Sequence, residues 1–140
     1  MVKLTAEQLQ LISWLEQNSG VQPLDAVDSP ESVVFVVRQG DLGKAIGKDG
    51  LMLHKLEKKI GKRVEFVEYN ESLEGFLGNL FKPVAIEQVQ MSAAANGGQA
   101  IMLKVDFKNK GLAIGKGGSK IKRARELAKR HFAIEDLKIM

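Results

Sequence analysis

Two short segments rich in glycine and lysine are the part of this chain whose residue types and spacing suggest chemistry. The first, AIGKDG, occupies residues 45–50, and the second, AIGKGG, occupies residues 113–118. Each follows an apolar run typical of a strand and precedes a segment with helical spacing. Glycines let another backbone approach closely, the free amides at the start of the following helix point outward, and the lysine adds a positive charge. A turn of this kind is suited to holding phosphate groups.

A nucleotide-binding P-loop is the first class of phosphate site to compare with these segments. It requires G-x-x-x-x-G-K-[ST], whereas in both copies the two glycines that precede the lysine enclose only three residues. The lysine is followed by Asp49 or Gly117 rather than by a hydroxyl residue, and neither copy contains the dinucleotide pattern G-x-G-x-x-G. The remaining pattern is G-x-x-G between two helices, which favours a polynucleotide backbone. For a single copy, a plain exposed corner would be the better interpretation.

The two segments belong to a longer internal repeat with an offset of 68 residues. Residues 43–50 and 111–118 agree at six of eight positions, and both lie between a strand-like run and a helix-like run. We therefore predict two tandem domains, residues 1–70 and 71–140, each with the element order α-β-β-α-α-β. The predicted helices are 5–19, 41–47, 51–61, 72–81, 110–115 and 119–132, and the predicted strands are 21–28, 33–39, 63–69, 84–94, 99–107 and 134–140.

Apolar side chains at helical spacing indicate the residues of the interior. In the first helix Leu9, Ile12 and Leu15 share one stripe, with Leu11 as a further candidate. The aromatic residues Trp14, Phe76 and Phe81 are interpreted as packing residues rather than as base-stacking ones.

Composition and charge limit the classes of function. With 44% hydrophobic and 27% charged residues the chain is globular, and the absence of cysteine excludes disulfides and thiolate metal sites. Without a signal-peptide pattern, and with no apolar run near the length of about 18 residues that spans a membrane, we expect a cytoplasmic protein with no membrane partner. Residues 1–70 carry 9 Lys+Arg against 10 Asp+Glu, and residues 71–140 carry 12 against 7. The positive excess that attracts polyanions therefore belongs to the second half.

No set of residues predicts catalysis, a cofactor or a metal site. His54 and His131 have no companion ligand at metal-binding spacing, and no serine lies in a G-x-S-x-G context. Glu135 and Asp136 are adjacent, but we expect them in a turn that leads into the last strand. A binding protein is expected rather than an enzyme.

Two segments resemble KH domains, with I-G-x-x-G after a short helix. They are residues 33–69, VVFVVRQGDLGKAIGKDGLMLHKLEKKIGKRVEFVEY, and residues 101–140, IMLKVDFKNKGLAIGKGGSKIKRARELAKRHFAIEDLKIM. The order α-β-β-α-α-β is that of type II KH domains, and two such domains with almost no linker resemble the RNA-binding core of the NusA family, in particular its short archaeal members. The resemblance implies an α+β fold in which helices pack on one face of each three-stranded sheet. It also implies binding of single-stranded RNA, a role in transcription elongation or termination, and the RNA polymerase elongation complex as a possible partner.

The resemblance also implies which residues contact RNA. The clamps would be Gly47, Lys48, Asp49 and Gly50 in the first domain and Gly115, Lys116, Gly117 and Gly118 in the second. Ile46 and Ile114 would wall the groove that receives the bases, with burial in the core as the alternative. The neighbouring cations that could contact phosphates are Arg38, Lys44, Lys108, Lys110, Lys120, Lys122 and Arg123.

Asp49 departs from the second copy, which has Gly117 at the same position. A negative charge inside the first clamp should weaken its hold on phosphate, so we predict that the second domain dominates affinity. Two alternatives to a transcription role remain open: RNA binding in ribosome assembly or RNA processing, and a protein–protein adaptor whose grooves take peptides. RNA binding should weaken steeply as salt rises, whereas an apolar peptide interface should not.

Overall fold

The two halves of the chain form separate units, Val2–Asn70 and Glu71–Met140, in the computed structural model, which describes residues 2–140. Met1, the first residue of the predicted first domain, lies outside the described residues. The first unit contains α1 (Ala6–Ser19), β1 (Asp25–Asp28), β2 (Ser32–Val37), α2 (Leu42–Ile46), α3 (Leu51–Ile60) and β3 (Arg63–Glu68). The second contains α4 (Leu73–Phe81), β4 (Ile86–Ala93), β5 (Gln99–Val105), α5 (Lys110–Ile114), α6 (Ser119–Phe132) and β6 (Ile134–Ile139). Each unit thus has the order α-β-β-α-α-β.

Both sheets have three strands with the same topology. In the first, β2 is central, antiparallel to β1 and parallel to β3. In the second, β5 is central, antiparallel to β4 and parallel to β6. Parallel neighbours need a crossover connection, and here the crossover consists of α2 and α3, or of α5 and α6. Each glycine turn joins the two helices of a crossover, which places it outside the sheet.

Helix α1 shows how local signals set an element. Thr5 caps its start, where the hydroxyl accepts from the Gln8 backbone N–H and the Gln8 side chain accepts from the Thr5 N–H. Gly20 ends it in the left-handed conformation, φ +75°. Leu11, Ile12 and Leu15 are buried as predicted.

The prediction for Leu9 was wrong, because this side chain is 52% exposed. At about 100° per residue, Leu9 lies roughly 60° beyond Ile12 at the edge of the stripe. One turn before Ile12, Gln8 makes the contact with the first sheet instead: its side-chain amide donates to the Ala26 carbonyl at 2.7 Å.

The interior of each unit is built from aliphatic residues around a few phenylalanines. Phe35 of β2 is buried and stacks on Phe66 of β3, with ring centroids 5.7 Å apart. Phe76 and Phe81 of α4 are fully buried, which confirms their interpretation as packing residues. Trp14 packs against the core of the first unit, and its ring lies 5.5 Å from the Lys59 ammonium.

Two further expectations need correction. The first strand was predicted over 21–28, but β1 begins only at Asp25, after the buried Pro23. Proline has no N–H to donate to a ladder, which limits the strand. Glu135 and Asp136 lie within β6, as the strand predicted over 134–140 requires, and not in the turn also expected for them, because the pairing of β6 with β5 already begins at Ile134. Among residues 2–140, no helix has the length and apolar character needed to cross a membrane.

Candidate nucleic-acid interface

The two glycine turns have nearly the same backbone. Gly47 has φ +80° and ψ +169°, and Gly115 has φ +78° and ψ +168°. The last glycines, Gly50 and Gly118, have φ/ψ of +73°/+14° and +78°/+13°. The repeated sequence is therefore a repeated conformation, which side chains with a Cβ rarely adopt.

The first glycine of each turn is required for space as well as for conformation. A Cβ on Gly47 would lie 2.9 Å from both Cβ and the backbone nitrogen of Met52. A Cβ on Gly115 would lie 2.7 Å from Lys120 Cβ and 2.8 Å from its backbone nitrogen. The chain folds back on the start of the next helix so closely that no side chain fits between.

The helix that follows each turn begins without a side-chain cap. Neither Gly50, before α3, nor Gly118, before α6, offers a side-chain acceptor to the first amides. Those amides carry the positive end of the helix dipole, which favours an anion. Lys48 and Lys116, at the exposed second position of each turn, add a full positive charge. The arrangement can hold a phosphate by backbone amides and by one lysine.

Asp49 is the residue at which the two turns differ in side chain, although their backbones are nearly the same there. It has φ +55° and ψ +27°, and Gly117 at the same position has φ +63° and ψ +19°. The left-handed conformation is strained for a residue with a side chain, although aspartate tolerates it better than most. The first turn thus keeps the geometry of the second while carrying an exposed carboxylate.

Ile46 and Ile114 stand at the ends of α2 and α5, directly before the turns. Ile46 is partly exposed and Ile114 is 40% exposed, so neither belongs to the core. The alanines before them, Ala45 and Ala113, are fully buried and anchor the two short helices. Both isoleucines are therefore available to a ligand beside the turn.

Three of the cations expected near the clamps lie close to other groups of their own units. The Lys44 ammonium lies 3.8 Å from the position that a Cβ on Gly20 would take, at the end of α1. The Lys110 ammonium lies 5.5 Å from the centroid of the Phe107 ring. Lys120 donates to the Lys82 carbonyl at 2.7 Å, and burial lowers the pKa of its ammonium from the ordinary value of 10.5. Their contact with phosphate stays a prediction.

The remaining expected cations differ in exposure. Arg38, Lys108 and Lys122 are exposed, and Arg123 is partly exposed in α6. Lys122 Cε lies 3.8 Å from the position of a Cβ on Gly118, so this side chain flanks the second turn.

His54 flanks the first turn in the place that corresponds to Lys122 in the repeat. Its Nε2 lies 3.4 Å from the position of a Cβ on Gly50, and its Nδ1 lies 3.6 Å from Glu57 Oε1. His54 is exposed, and the offset of 68 residues that aligns it with Lys122 is the signal in the sequence that points to this position. Across residues 2–140, no group of three or more His, Asp or Glu side chains could hold a metal ion.

The fold and the paired turns can now be compared with known proteins. The family model described as KH domain matches residues 14–106, from within α1 to just past β5, and so includes the first turn but not the second. The chain is a KH-domain protein.

Relatives define the family more closely. The chain is 32% identical over 139 residues to the "Probable transcription termination protein NusA" of Methanococcus vannielii, which covers 99% of this chain and 80% of that protein. It is 36% identical over 138 residues to the protein of the same name from Halobacterium salinarum, covering 99% of this chain and 98% of the other. The crystal structure of APE1850 matches with a TM-score of 0.88 and 35% identity, over 98% of this chain and 100% of that one. The chain belongs to the archaeal NusA-like family of KH-domain proteins.

Proposed function

We propose that this protein binds single-stranded RNA as a factor in transcription elongation or termination, and that both of its units are type II KH domains. It grips the RNA backbone at Gly47–Gly50 and Gly115–Gly118, lays the bases against the groove beside Ile46 and Ile114, and performs no catalysis. The observation that carries the proposal is the recurrence of one glycine turn with positive φ angles, with its lysine and without a side-chain cap on the following helix, in the same place of two like-ordered units.

The choice of polynucleotide over mononucleotide rests on the number and chemistry of the turns. Each turn offers a helix start without a side-chain cap and one lysine, but no hydroxyl follows the lysine to hold a magnesium ion. KH modules clamp about four backbone nucleotides with a GxxG loop, and two clamps in one chain serve one strand better than either serves a free nucleotide. The positive excess of the second unit adds a general attraction for a polyanion.

The two clamps are proposed to contribute unequally. Asp49 stands where the second clamp has Gly117, and the first unit carries more acidic than basic residues. Because the two turns share one backbone geometry, charge rather than shape distinguishes them. The second clamp supplies most of the affinity, and the first extends the footprint and sets the register of the strand.

The role in transcription is drawn from the relatives, whose names describe transcription termination proteins. An RNA polymerase elongation complex is the proposed setting in which nascent RNA reaches the two clamps. Transcription by a purified archaeal polymerase, with and without this protein, tests that role by the positions and yields of paused and terminated transcripts. A transcript pattern unchanged by the protein at saturating concentration contradicts it.

Binding itself is tested with labelled random single-stranded RNA and matching DNA, titrated by fluorescence anisotropy at several salt concentrations. We expect retention of RNA at low salt and a linear fall of log K with log salt, with a slope of about −0.7 for each phosphate contact. No retention of RNA at low salt removes the proposal, and affinity for apolar peptides that is indifferent to salt favours an adaptor.

The asymmetry is tested by giving either clamp the turn Gly-Asp-Asp-Gly, with Lys48→Asp in the first or with Lys116→Asp and Gly117→Asp in the second. At one fixed salt concentration the second change should weaken RNA binding much more than the first. Lys55→Asp, an exposed charge reversal within α3, is the matched control and should have little effect. Equal losses of RNA affinity in the two clamp variants would contradict the proposed asymmetry.

A further inference from the structure

Phe107 presents an aromatic ring to solvent outside both glycine turns. Its side chain is 84% exposed and lies just after β5, in the short 3-10 turn Phe107–Asn109. The Asp106 carboxylate accepts from the Lys108 backbone N–H at 3.2 Å and holds this turn. The Lys110 ammonium lies 5.5 Å from the ring centroid. The ring is thus positioned by its neighbours, although it packs into no core.

The ring lines an open cleft of about 500 Å³ at one end of the second sheet. Gln88 and Gln90 of β4, Lys104 of β5 and Met140 complete much of its lining. Clefts that hold small ligands measure about 300–1,000 Å³ and combine apolar or aromatic walls with a few polar groups. This cleft has the size and the mixture of side chains that suit one nucleobase.

The repeat shows that folding does not require this ring. The first unit has Gln39 at the position of Phe107, and its α2 and glycine turn form nonetheless. The exposed apolar side chains continue toward the second turn at Leu112, 62% exposed, and Ile114, 40% exposed. The first unit has Lys44 in the place of Leu112. Exposed apolar side chains at the positions of Phe107 and Leu112 are therefore particular to the second unit.

We propose that Phe107 stacks on a nucleobase of the same RNA strand whose backbone is held at Gly115–Gly118, so that the second unit has a base-binding platform outside its clamp. This inference rests on the proposed RNA binding. Phe107 and Gly115 are eight residues apart in the chain, and the 3-10 turn Phe107–Asn109 and α5 lie between the ring and the clamp. An RNA longer than the four or so nucleotides that one clamp holds is therefore needed to reach the ring.

The charges of the cleft favour a base inside it and phosphates at its rim. Glu87 and Asp106 place two carboxylates in the lining, which repel a phosphate but can accept hydrogen bonds from the amino groups of bases. The Gln88 amide can donate to and accept from a base edge. Lys104 and Lys110 supply the positive charge that the flanking phosphates need. An aromatic face with such edges is the usual means of reading an unstacked RNA base.

The test compares single-stranded RNAs of four and ten nucleotides, titrated by anisotropy against the wild-type chain and three variants, Phe107→Ala, Phe107→Leu and Phe107→Tyr. Loss of one base–aromatic stack weakens binding by about 5- to 150-fold. We expect Phe107→Ala and Phe107→Leu to lose affinity in that range for the ten-nucleotide RNA, and to bind the four-nucleotide RNA, which occupies the clamp alone, within about twofold of wild type. Phe107→Tyr keeps the stacking face and should retain binding of both. Gln39→Ala, the same position in the first unit, is the matched control and should change neither.

The outcomes distinguish a failure of the proposed base stacking at Phe107 from a failure of the proposed RNA binding. If Phe107→Ala binds the ten-nucleotide RNA as wild type does, or if Phe107→Leu restores full affinity, no base stacks there and the inference is overturned while RNA binding stands. If wild type binds neither RNA, the proposed function and the inference fall together. A stack carries no charge. The ratio of the dissociation constants of Phe107→Ala and wild type for the ten-nucleotide RNA should therefore stay constant as salt rises, and a ratio that falls toward one would assign the effect to phosphate contacts instead.

Discussion

Gly115→Ala probes the second clamp most directly, because one added methyl group conflicts with both the backbone conformation and the limited space of the turn. At φ +78° and ψ +168° the backbone lies in a region that is essentially restricted to glycine, where a side chain costs about 1–3 kcal/mol. The new Cβ would also lie 2.7 Å from Lys120 Cβ and 2.8 Å from its backbone nitrogen, and a backbone atom in a helix start cannot easily yield.

Such overpacking costs a further 1–3 kcal/mol or so, and the turn is exposed enough to relieve part of the total by opening. We therefore expect a loss of about 2 kcal/mol or more in the free energy of unfolding, or an equivalent loss of the clamped conformation. If the turn relieves the strain by opening, an equal loss of the clamped conformation weakens RNA binding by about 30-fold or more, at 1.4 kcal/mol for each factor of ten.

Gly111→Ala is the matched control, in the short helix α5 that ends directly before Gly115. A Cβ on Gly111 has no atom within 4 Å, and the residue lies inside α5, where alanine is favoured over glycine by about 0.5–1 kcal/mol. Urea unfolding and RNA anisotropy should therefore show the control equal to or slightly more stable than wild type, with unchanged affinity. If Gly115→Ala unfolds and binds as wild type does, or if both variants lose equally, the close approach is not what demands glycine at this turn.

Three further predictions concern single side chains. Asp49→Gly removes the negative charge of the first clamp. With that charge taken at about 7 Å from a bound phosphate in water, RNA binding should tighten about threefold at low salt. The converse change Gly117→Asp should weaken binding, and anisotropy that shows no opposite pair of shifts would contradict this. Thr5→Ala removes the hydroxyl that accepts from the Gln8 backbone N–H in the α1 capping box, and should lower the free energy of unfolding by about 1 kcal/mol, as read from urea or thermal unfolding. Because burial lowers the pKa of Lys120, the unfolded chain binds more protons than the folded chain between that pKa and 10.5. The stability of wild type relative to Lys120→Met should therefore rise with pH in this window, and a flat or falling difference in urea unfolding between about pH 9 and pH 11 would refute it.

Local features of the sequence determined most of the elements and the position of the turns. The cap at Thr5 and the glycine end of α1 act within one or two turns of helix, so their residues predict them directly. The glycine turn is of the same kind, since the conformations of Gly47 and Gly115 are demanded by a fold-back of a few residues. The repeat then predicted that both units share one order of elements.

Only the tertiary structure decided which side chains are free to meet a ligand. Lys120 was expected at a phosphate, but its ammonium reaches the carbonyl of Lys82, 38 positions away, which the packing of α6 beside the end of α4 brings within 2.7 Å. Phe107 reads in the sequence as the end of a strand, yet β5 stops at Val105 and leaves the ring in the cleft. Long side chains take their direction from groups that folding brings together, whereas a turn takes its shape from the residues within it. That difference is why the clamps could be read from the chain and the surface around them could not.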